Sequence, residues 1–168
     1  LGCIEEGVDS IGFDVHPVAV FASRVKTQEY DAGEVEKEAK RVLSEKFVRP
    51  EIMPKEKVFR RAFKKETLED IIFFRDIILG IGDKNIRDFM MLALMSCAIK
   101  CSYVYKDGAV IKFVKKHVPP FRHIFKRQVK RMIRDIKTFR RNDCKTIVEF
   151  GDARKIRPVS YTHLTLPT

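Results

Sequence analysis

The hydrophobic and polar positions along the chain predict short strands towards its two ends, with helices between them. Ser10–Asp14 is a short apolar run bounded by polar residues, which is typical of a buried strand. Thr146–Phe150 alternates between apolar and polar positions and predicts a second strand. Residues 109–114 follow an Asp107-Gly108 turn and predict a third strand.

Local signals also predict where several helices begin. Pro17 suits the first turn of a helix, because its missing N–H would have no partner there in any case. Residues 32–47 have the charge pattern of a surface helix. Thr67–Asp70 resembles a capping box, in which the threonine would cap a helix running to Gly80. Another helix is predicted to begin near Asp83.

The clearest amphipathic pattern covers residues 119–141. One side of this helix is apolar and consists of Phe125, Val129, Met132, Ile133, Ile136 and Phe139. The other side is basic and carries Lys126, Arg127, Lys130, Arg131, Arg134 and Lys137. The pattern predicts a helix that packs on a core through one face and exposes the other.

The positive charge of the chain is concentrated around this helix. The 168 residues contain 34 Lys and Arg and 23 Asp and Glu, a formal net charge of +11. Residues 106–141 hold thirteen basic side chains but only two acidic ones, Asp107 and Asp135, so this segment carries the whole excess. A local excess of this size favours a polyanionic partner, above all nucleic acid. The alternative is a solvated helix face that binds nothing.

Composition indicates a folded chain outside the membrane. Hydrophobic residues make up 45% of the sequence, which argues against disorder, and no apolar run approaches the roughly 20 residues of a membrane span. The N-terminus lacks a secretory signal pattern. The four cysteines lack zinc-like spacing, so free thiols and a reducing, cytoplasmic environment are expected. A metal pair at Cys97 and Cys101 is the weaker alternative.

The two outer strands both lead to an aspartate. Asp14 ends the first strand, and Asp152 follows the second. In open α/β sheets ligands bind beyond the carboxyl ends of the strands, where a carboxylate accepts hydrogen bonds from a nucleotide-like cofactor. Many strand ends carry a helix-capping aspartate for structural reasons instead. Spacing alone leaves both interpretations open.

Three stretches of the chain resemble the DNA amino-methyltransferases, the family that methylates adenine N6 or cytosine N4. IGFDVHPVAVFASRVKT (residues 11–27) is similar to the IGIDINPLAVLIAKAKT stretch of that family. VEFGDARKIRP (residues 148–158) resembles its third conserved segment, and DKNIRDFMMLALMSCAIKCSYVYKDG (residues 83–108) resembles an insertion found in archaeal-type members. Together the resemblance covers most of Leu1–Pro158.

The resemblance implies an α/β fold, namely part of a Rossmann-like class I methyltransferase fold with a large, mostly helical insertion over about residues 29–142. It implies S-adenosylmethionine as the cofactor, with the first aspartate on its ribose and the second on its adenine ring. The implied cofactor-binding residues are Asp14, Val15, Asp152 and Ala153. The sequence departs from the family pattern in several ways: Phe13 and His16 replace the commoner Ile and Asn, and IEEGVD lengthens the approach to the strand. His16 suits a turn better than a catalytic base.

The same resemblance implies that two functional segments lie outside this sequence. The glycine-rich FxGSGT loop of the family would precede Leu1. Its catalytic tetrapeptide, a polar residue followed by two prolines and an aromatic residue, would follow Pro158. Residues 118–121 (VPPF) are not that tetrapeptide, because a valine cannot accept a hydrogen bond from the target amine and they precede the Asp152 strand. The chain is therefore expected to be inactive by itself, with no catalytic residue of its own.

Residues 159–168, VSYTHLTLPT, resemble the in-frame translation of a transposon-end sequencing adaptor. A genuine polar tail is the alternative. On the adaptor interpretation this segment carries no information about the fold.

The family and the charge both indicate DNA as the partner. The residues predicted to contact its phosphates are Lys112, Lys115, Lys116, Arg122, Lys126, Arg127 and Lys130. The expected function is site-specific DNA methylation in a prokaryotic modification or restriction-modification system. One alternative is an RNA or tRNA base methyltransferase of the same fold. The other is a non-enzymatic helical module that binds nucleic acid, in which the two aspartates are only caps.

Overall fold

A computed structural model of the chain describes residues 1–108, 110–152 and 154. Across these residues the protein belongs to the mixed α/β class, as the sequence predicts. The chain forms two units, one made of Leu1–Glu29 with the segment from Phe139 onward, and the other of Tyr30–Thr138. The elements in chain order are α1 (Gly2–Glu6), β1 (Ser10–Asp14), α2 (Pro17–Thr27), α3 (Ala32–Ser44), α4 (Lys57–Ala62), α5 (Lys65–Leu79), α6 (Lys84–Lys100), β2 (Val104–Asp107), β3 (Val110–Phe113), α7 (Phe121–Thr138) and β4 (Thr146–Phe150).

The first unit is built on a two-stranded parallel sheet. β1 and β4 are hydrogen-bonded neighbours, in a register that pairs Ser10 with Thr146 and Asp14 with Phe150. α2 lies against this pair, where the Arg24 Nε donates a 2.8 Å hydrogen bond to the carbonyl oxygen of Val148. The predicted bounds of both strands and the helix start at Pro17 are confirmed.

The second unit is mostly helical and packs around an aromatic cluster. α7 buries Phe121, Phe125, Val129 and Ile133, and the ring of Phe125 lies 4.8 Å from that of Phe74 on α5. The buried residues fall on the face of α7 that the periodicity predicts to be apolar. The helix is shorter than predicted, because it begins after Pro120 and ends at Thr138.

A hairpin follows α6 in the second unit. β2 pairs antiparallel with β3, from Val104 with Phe113 to Asp107 with Val110. Gly108 in the turn has a φ of 57°, a left-handed conformation that glycine adopts without strain. The strand predicted after the turn is confirmed as β3, whereas its partner β2 was not predicted.

The predicted capping box at Thr67 is wrong. α5 begins at Lys65 after an N-cap at Lys64, and Thr67 is buried inside its first turn. Asp70 instead accepts a 2.7 Å hydrogen bond from Arg122 on α7. The predicted start near Asp83 is confirmed, since its carboxylate accepts a 2.8 Å hydrogen bond from the Ile86 amide and caps α6.

No helix in the described part of the chain is both long enough and apolar enough to cross a membrane.

Candidate functional site

The carboxyl ends of β1 and β4 form one edge of the sheet in the first unit. Because the strands are parallel and Asp14 pairs with Phe150, Asp152 lies two residues beyond that pair. The Gly151 amide donates a 3.1 Å hydrogen bond to the Asp14 carbonyl oxygen, which extends the pairing past the end of β4. The two aspartates therefore lie at the same end of the strand pair.

Asp14 connects the strand to the helix that follows. Its Oδ1 accepts a 2.7 Å hydrogen bond from the amide of His16, the N-cap of α2, so the carboxylate does serve as a turn group. Its Oδ2 has no hydrogen-bond partner among residues 1–108, 110–152 and 154, and the side chain is exposed. One oxygen of Asp14 is therefore available to a ligand. Val15, the next residue, is 61% exposed at the same edge.

Asp152 is already occupied by a neighbouring arginine. Its Oδ1 accepts a 3.0 Å hydrogen bond from the Arg154 amide, and its Oδ2 accepts a 2.7 Å bond from Nη2 of the same residue. These hydrogen bonds lower the pKa of the Asp152 carboxyl. The Arg154 side chain is 88% exposed, so a ligand can replace it at Asp152, or bind beside it, without disturbing packed side chains. Ala153, the last of the implied cofactor residues, lies outside the described residues.

The second region of interest is the exposed face of α7. Its basic residues are Arg122, Lys126, Arg127, Lys130, Arg131, Arg134 and Lys137, and its single acidic residue is Asp135. Lys126, Lys130 and Arg134 recur every four residues and so lie along one stripe of the helix, which we call the cationic stripe. All three are exposed, and none of their side chains has a hydrogen-bond or ion-pair partner within the described ranges.

Repulsion within α7 is unusually strong for a surface helix. Four pairs of like charge stand at i,i+4 spacing, namely Arg122–Lys126, Lys126–Lys130, Arg127–Arg131 and Lys130–Arg134. Each such pair destabilises an exposed helix by roughly 0.2–0.5 kcal/mol, so together they cost about 1–2 kcal/mol at low salt. A bound polyanion would relieve this repulsion.

The structure divides the seven predicted phosphate contacts into two groups. Arg122, Lys112 and Lys116 make contacts within the protein. The Arg122 guanidinium bonds Asp70 and lies 4.6 Å from the centroid of the Phe47 ring. The Nζ of Lys112 lies 2.6 Å from the Asp107 carboxylate, and that of Lys116 lies 3.4 Å from a backbone carbonyl oxygen.

The remaining predicted contacts are exposed and have no ion-pair or hydrogen-bond partner in the described chain. They are Lys115, Lys126, Arg127 and Lys130. Arg134 belongs with them, although it was not among the predicted contacts. Its i+4 spacing from Lys130 is the sequence signal that would have identified it.

The cysteines behave as free thiols. Cys97 and Cys101 are buried, Cys3 is exposed and Cys144 is half-buried. Burial raises the pKa of both buried thiols, that of Cys101 to about 11, which keeps them protonated at neutral pH. Among the described residues, no three His, Cys, Asp or Glu side chains come together as a metal site would require.

Comparison with known proteins identifies no relative of this chain. No family model matches the chain, and neither a curated protein nor a solved structure matches it significantly.

Proposed function

We propose that the first unit holds the adenosine part of S-adenosylmethionine, in a Rossmann-like methyltransferase that methylates an exocyclic amine of a DNA base. The observation that supports this most directly is the parallel pairing of β1 with β4, which brings Asp14 and Asp152 to the same end of the sheet. Ligands of open α/β sheets bind beyond this end of the strands. The resemblance of both strand ends to the amino-methyltransferases supplies the choice of cofactor and substrate.

The two carboxylates have different roles in this proposal. Asp14 accepts hydrogen bonds from the ribose hydroxyls through the Oδ2 that the His16 turn leaves unused. Asp152 accepts a hydrogen bond from the adenine amino group, in exchange for part of its contact with the exposed Arg154. Val15 and Ala153 would pack against the adenosine.

The bound cofactor would supply the methyl group, and the described residues would bind and orient it. None of them is proposed as a catalytic group, because residues 118–121 (VPPF) lack the polar first residue of the family's catalytic tetrapeptide. The target is adenine N6 or cytosine N4, and the proposed setting is prokaryotic modification or restriction-modification.

Titration calorimetry with S-adenosylhomocysteine, which carries the same adenosine, tests the proposal. Asp14→Asn keeps the oxygen that accepts from the His16 amide and replaces the other with an amide NH2, which cannot accept from a ribose hydroxyl. Hydrogen bonds to charged groups contribute about 1.5–3 kcal/mol, so the variant should bind roughly 10- to 150-fold more weakly. Asp143→Asn is the matched control, since this exposed carboxylate precedes β4 at the opposite end of the strand.

Equal affinity of Asp14→Asn and the wild-type chain, with unchanged circular dichroism, would contradict the proposal. The aspartate would then be a cap alone. The charge of α7 would in that case favour the second candidate function, a non-enzymatic module that binds nucleic acid. An RNA or tRNA methyltransferase is the alternative within the same fold, and the affinities of the chain for DNA and RNA duplexes of equal length separate the two.

A further inference from the structure

We infer that the cationic stripe of Lys126, Lys130 and Arg134 holds the phosphate backbone of duplex DNA and does not read its bases. The choice of DNA over RNA rests on the proposed function, whereas the phosphate contact rests on α7 alone. The inference also replaces the seven predicted contacts with a smaller set that the structure leaves available.

The stripe is rigid and evenly spaced. Each i,i+4 step advances about 6 Å along the helix axis, so the three side chains cover about 12 Å. The opposite face of α7 is fixed in the core through Phe125 and Val129, both fully buried. The cations therefore stand on a firmly packed helix, and only their own side chains have to be ordered when a ligand binds.

A solvated helix in this protein looks different. On α3 the charges alternate in sign and pair along the helix, with Glu36 3.4 Å from Lys40 and Glu38 2.8 Å from Arg41. On α6 Lys84 pairs in the same way with Asp88. The cationic stripe has no acidic residue at these spacings, since the one acid of α7 is Asp135. Its excess charge is complementary to a polyanion, and that sets it apart from an ordinary exposed face.

The composition of α7 argues against readout of adenine by its exposed face. Asn and Gln read adenine through paired hydrogen bonds, but α7 contains no Asn, and its one Gln is buried. That residue, Gln128, accepts a 2.8 Å hydrogen bond from Arg131 within the helix. The stripe itself consists mainly of lysines, which bind phosphate as point charges. Contacts of this kind set the position of the duplex and leave sequence recognition to other residues.

The experiment measures binding of two unrelated, fluorescein-labelled 20-base-pair DNA duplexes by anisotropy between 50 and 200 mM KCl. The test variant is Lys126→Gln, Lys130→Gln and Arg134→Gln combined. Losing three phosphate contacts should make the negative slope of log K against log salt shallower by about 2.7. Between 50 and 200 mM KCl, the fold loss of affinity should therefore be about 40 times smaller for the test variant than for the wild-type chain.

The matched control removes three exposed charges elsewhere: Lys26→Gln, Lys37→Gln and Lys145→Gln combined. It should leave the slope near the wild-type value, and both duplexes should bind equally. A charge-keeping variant, Lys126→Arg with Lys130→Arg, should also retain the wild-type slope. Circular dichroism of each variant verifies that α7 is folded.

Three results would overturn the inference. If the slope of log K against log salt changes as much in the control variant as in the test variant, only net charge matters. A preference of tenfold or more for one duplex that disappears in the test variant would show that the stripe reads bases. Tighter binding of an RNA duplex of equal length would reassign the stripe to RNA. If Asp14→Asn binds S-adenosylhomocysteine as tightly as the wild-type chain while the change in salt slope is still observed, the proposed function is refuted. The phosphate contact of the cationic stripe is then still supported.

Discussion

The reassignment of Arg122 from a phosphate contact to a structural residue makes a quantitative prediction. Arg122→Ala removes a 2.7 Å hydrogen bond to Asp70 and the contact of the guanidinium with the Phe47 and Phe73 rings, 4.6 and 5.4 Å from their centroids. It also leaves a largely buried carboxylate without its partner, since the Asp70 side chain is 18% exposed. We therefore expect the second unit to lose stability.

The magnitude follows from how exposed the contact is. The Arg122 side chain is 39% exposed, so the ion pair is partly screened and contributes about 1 kcal/mol or less. Contact of the cation with aromatic rings adds about 0.5–1 kcal/mol, and the unpaired Asp70 adds a further penalty. The free energy of unfolding should fall by about 1–3 kcal/mol.

Urea unfolding followed by circular dichroism measures this loss. With an m-value of about 2 kcal/mol/M, a loss of 2 kcal/mol moves the midpoint down by about 1 M. Lys126→Ala is the matched control on the same helix. It should change stability by less than about 0.5 kcal/mol, because Lys126 has no hydrogen-bond or ion-pair partner in the described chain and its removal relieves like-charge repulsion.

A double-mutant cycle with Asp70→Ala isolates the ion pair, and its coupling energy should be about 0.5–1 kcal/mol. If Arg122→Ala is no more destabilising than Lys126→Ala, the reasoning fails. Arg122 would then be free to contact phosphate, as the sequence predicts.

Two further predictions concern titratable groups. Iodoacetamide at pH 8 should modify the exposed Cys3 quickly. It should modify Cys101 only as fast as the second unit opens, because Cys101 is buried and its pKa is raised to about 11. Equal modification rates of the two cysteines would contradict that packing. Arg154 lowers the pKa of the Asp152 carboxyl in the folded protein. The ion pair therefore stabilises the fold above the ordinary pKa of aspartate, about 3.9, and this stabilisation is lost as pH falls through the lower pKa of the folded state. A carboxyl-carbon NMR titration should show the midpoint rising in Arg154→Gln, and an unchanged midpoint would show that the contact does not form in solution.

Elements defined by local signals were predictable from the sequence. β1 and β4 have the predicted bounds, because apolar runs flanked by polar residues identify strands whatever they pair with. α2 begins at Pro17 and α6 after Asp83, because a helix start depends on a few adjacent backbone groups. The apolar side of α7 was predictable for a similar reason, since helical periodicity is a property of the segment itself.

Where local signals competed with packing, packing decided. The residues Thr67–Asp70 read locally as a capping box, but burial of Thr67 and Leu68 in the core draws α5 back to Lys65. Asp70 is then free to bind Arg122, which lies 52 residues away in the sequence. β2 was missed because its four residues alternate too briefly to stand out, and its pairing with β3 defines it.

The sequence by itself determined the bounds of β1 and β4, the starts of α2 and α6, which face of α7 is buried, and where the positive charge lies, because each of these depends on neighbours within a few residues. The tertiary structure alone decided that β1 pairs in parallel with β4, across more than a hundred intervening residues. It also decided that the side chains of Lys126, Lys130 and Arg134 stay unpaired in the described chain, while Arg122 pairs with Asp70. A charge is free or bound according to what long-range packing brings within hydrogen-bond distance, and no local pattern contains that information.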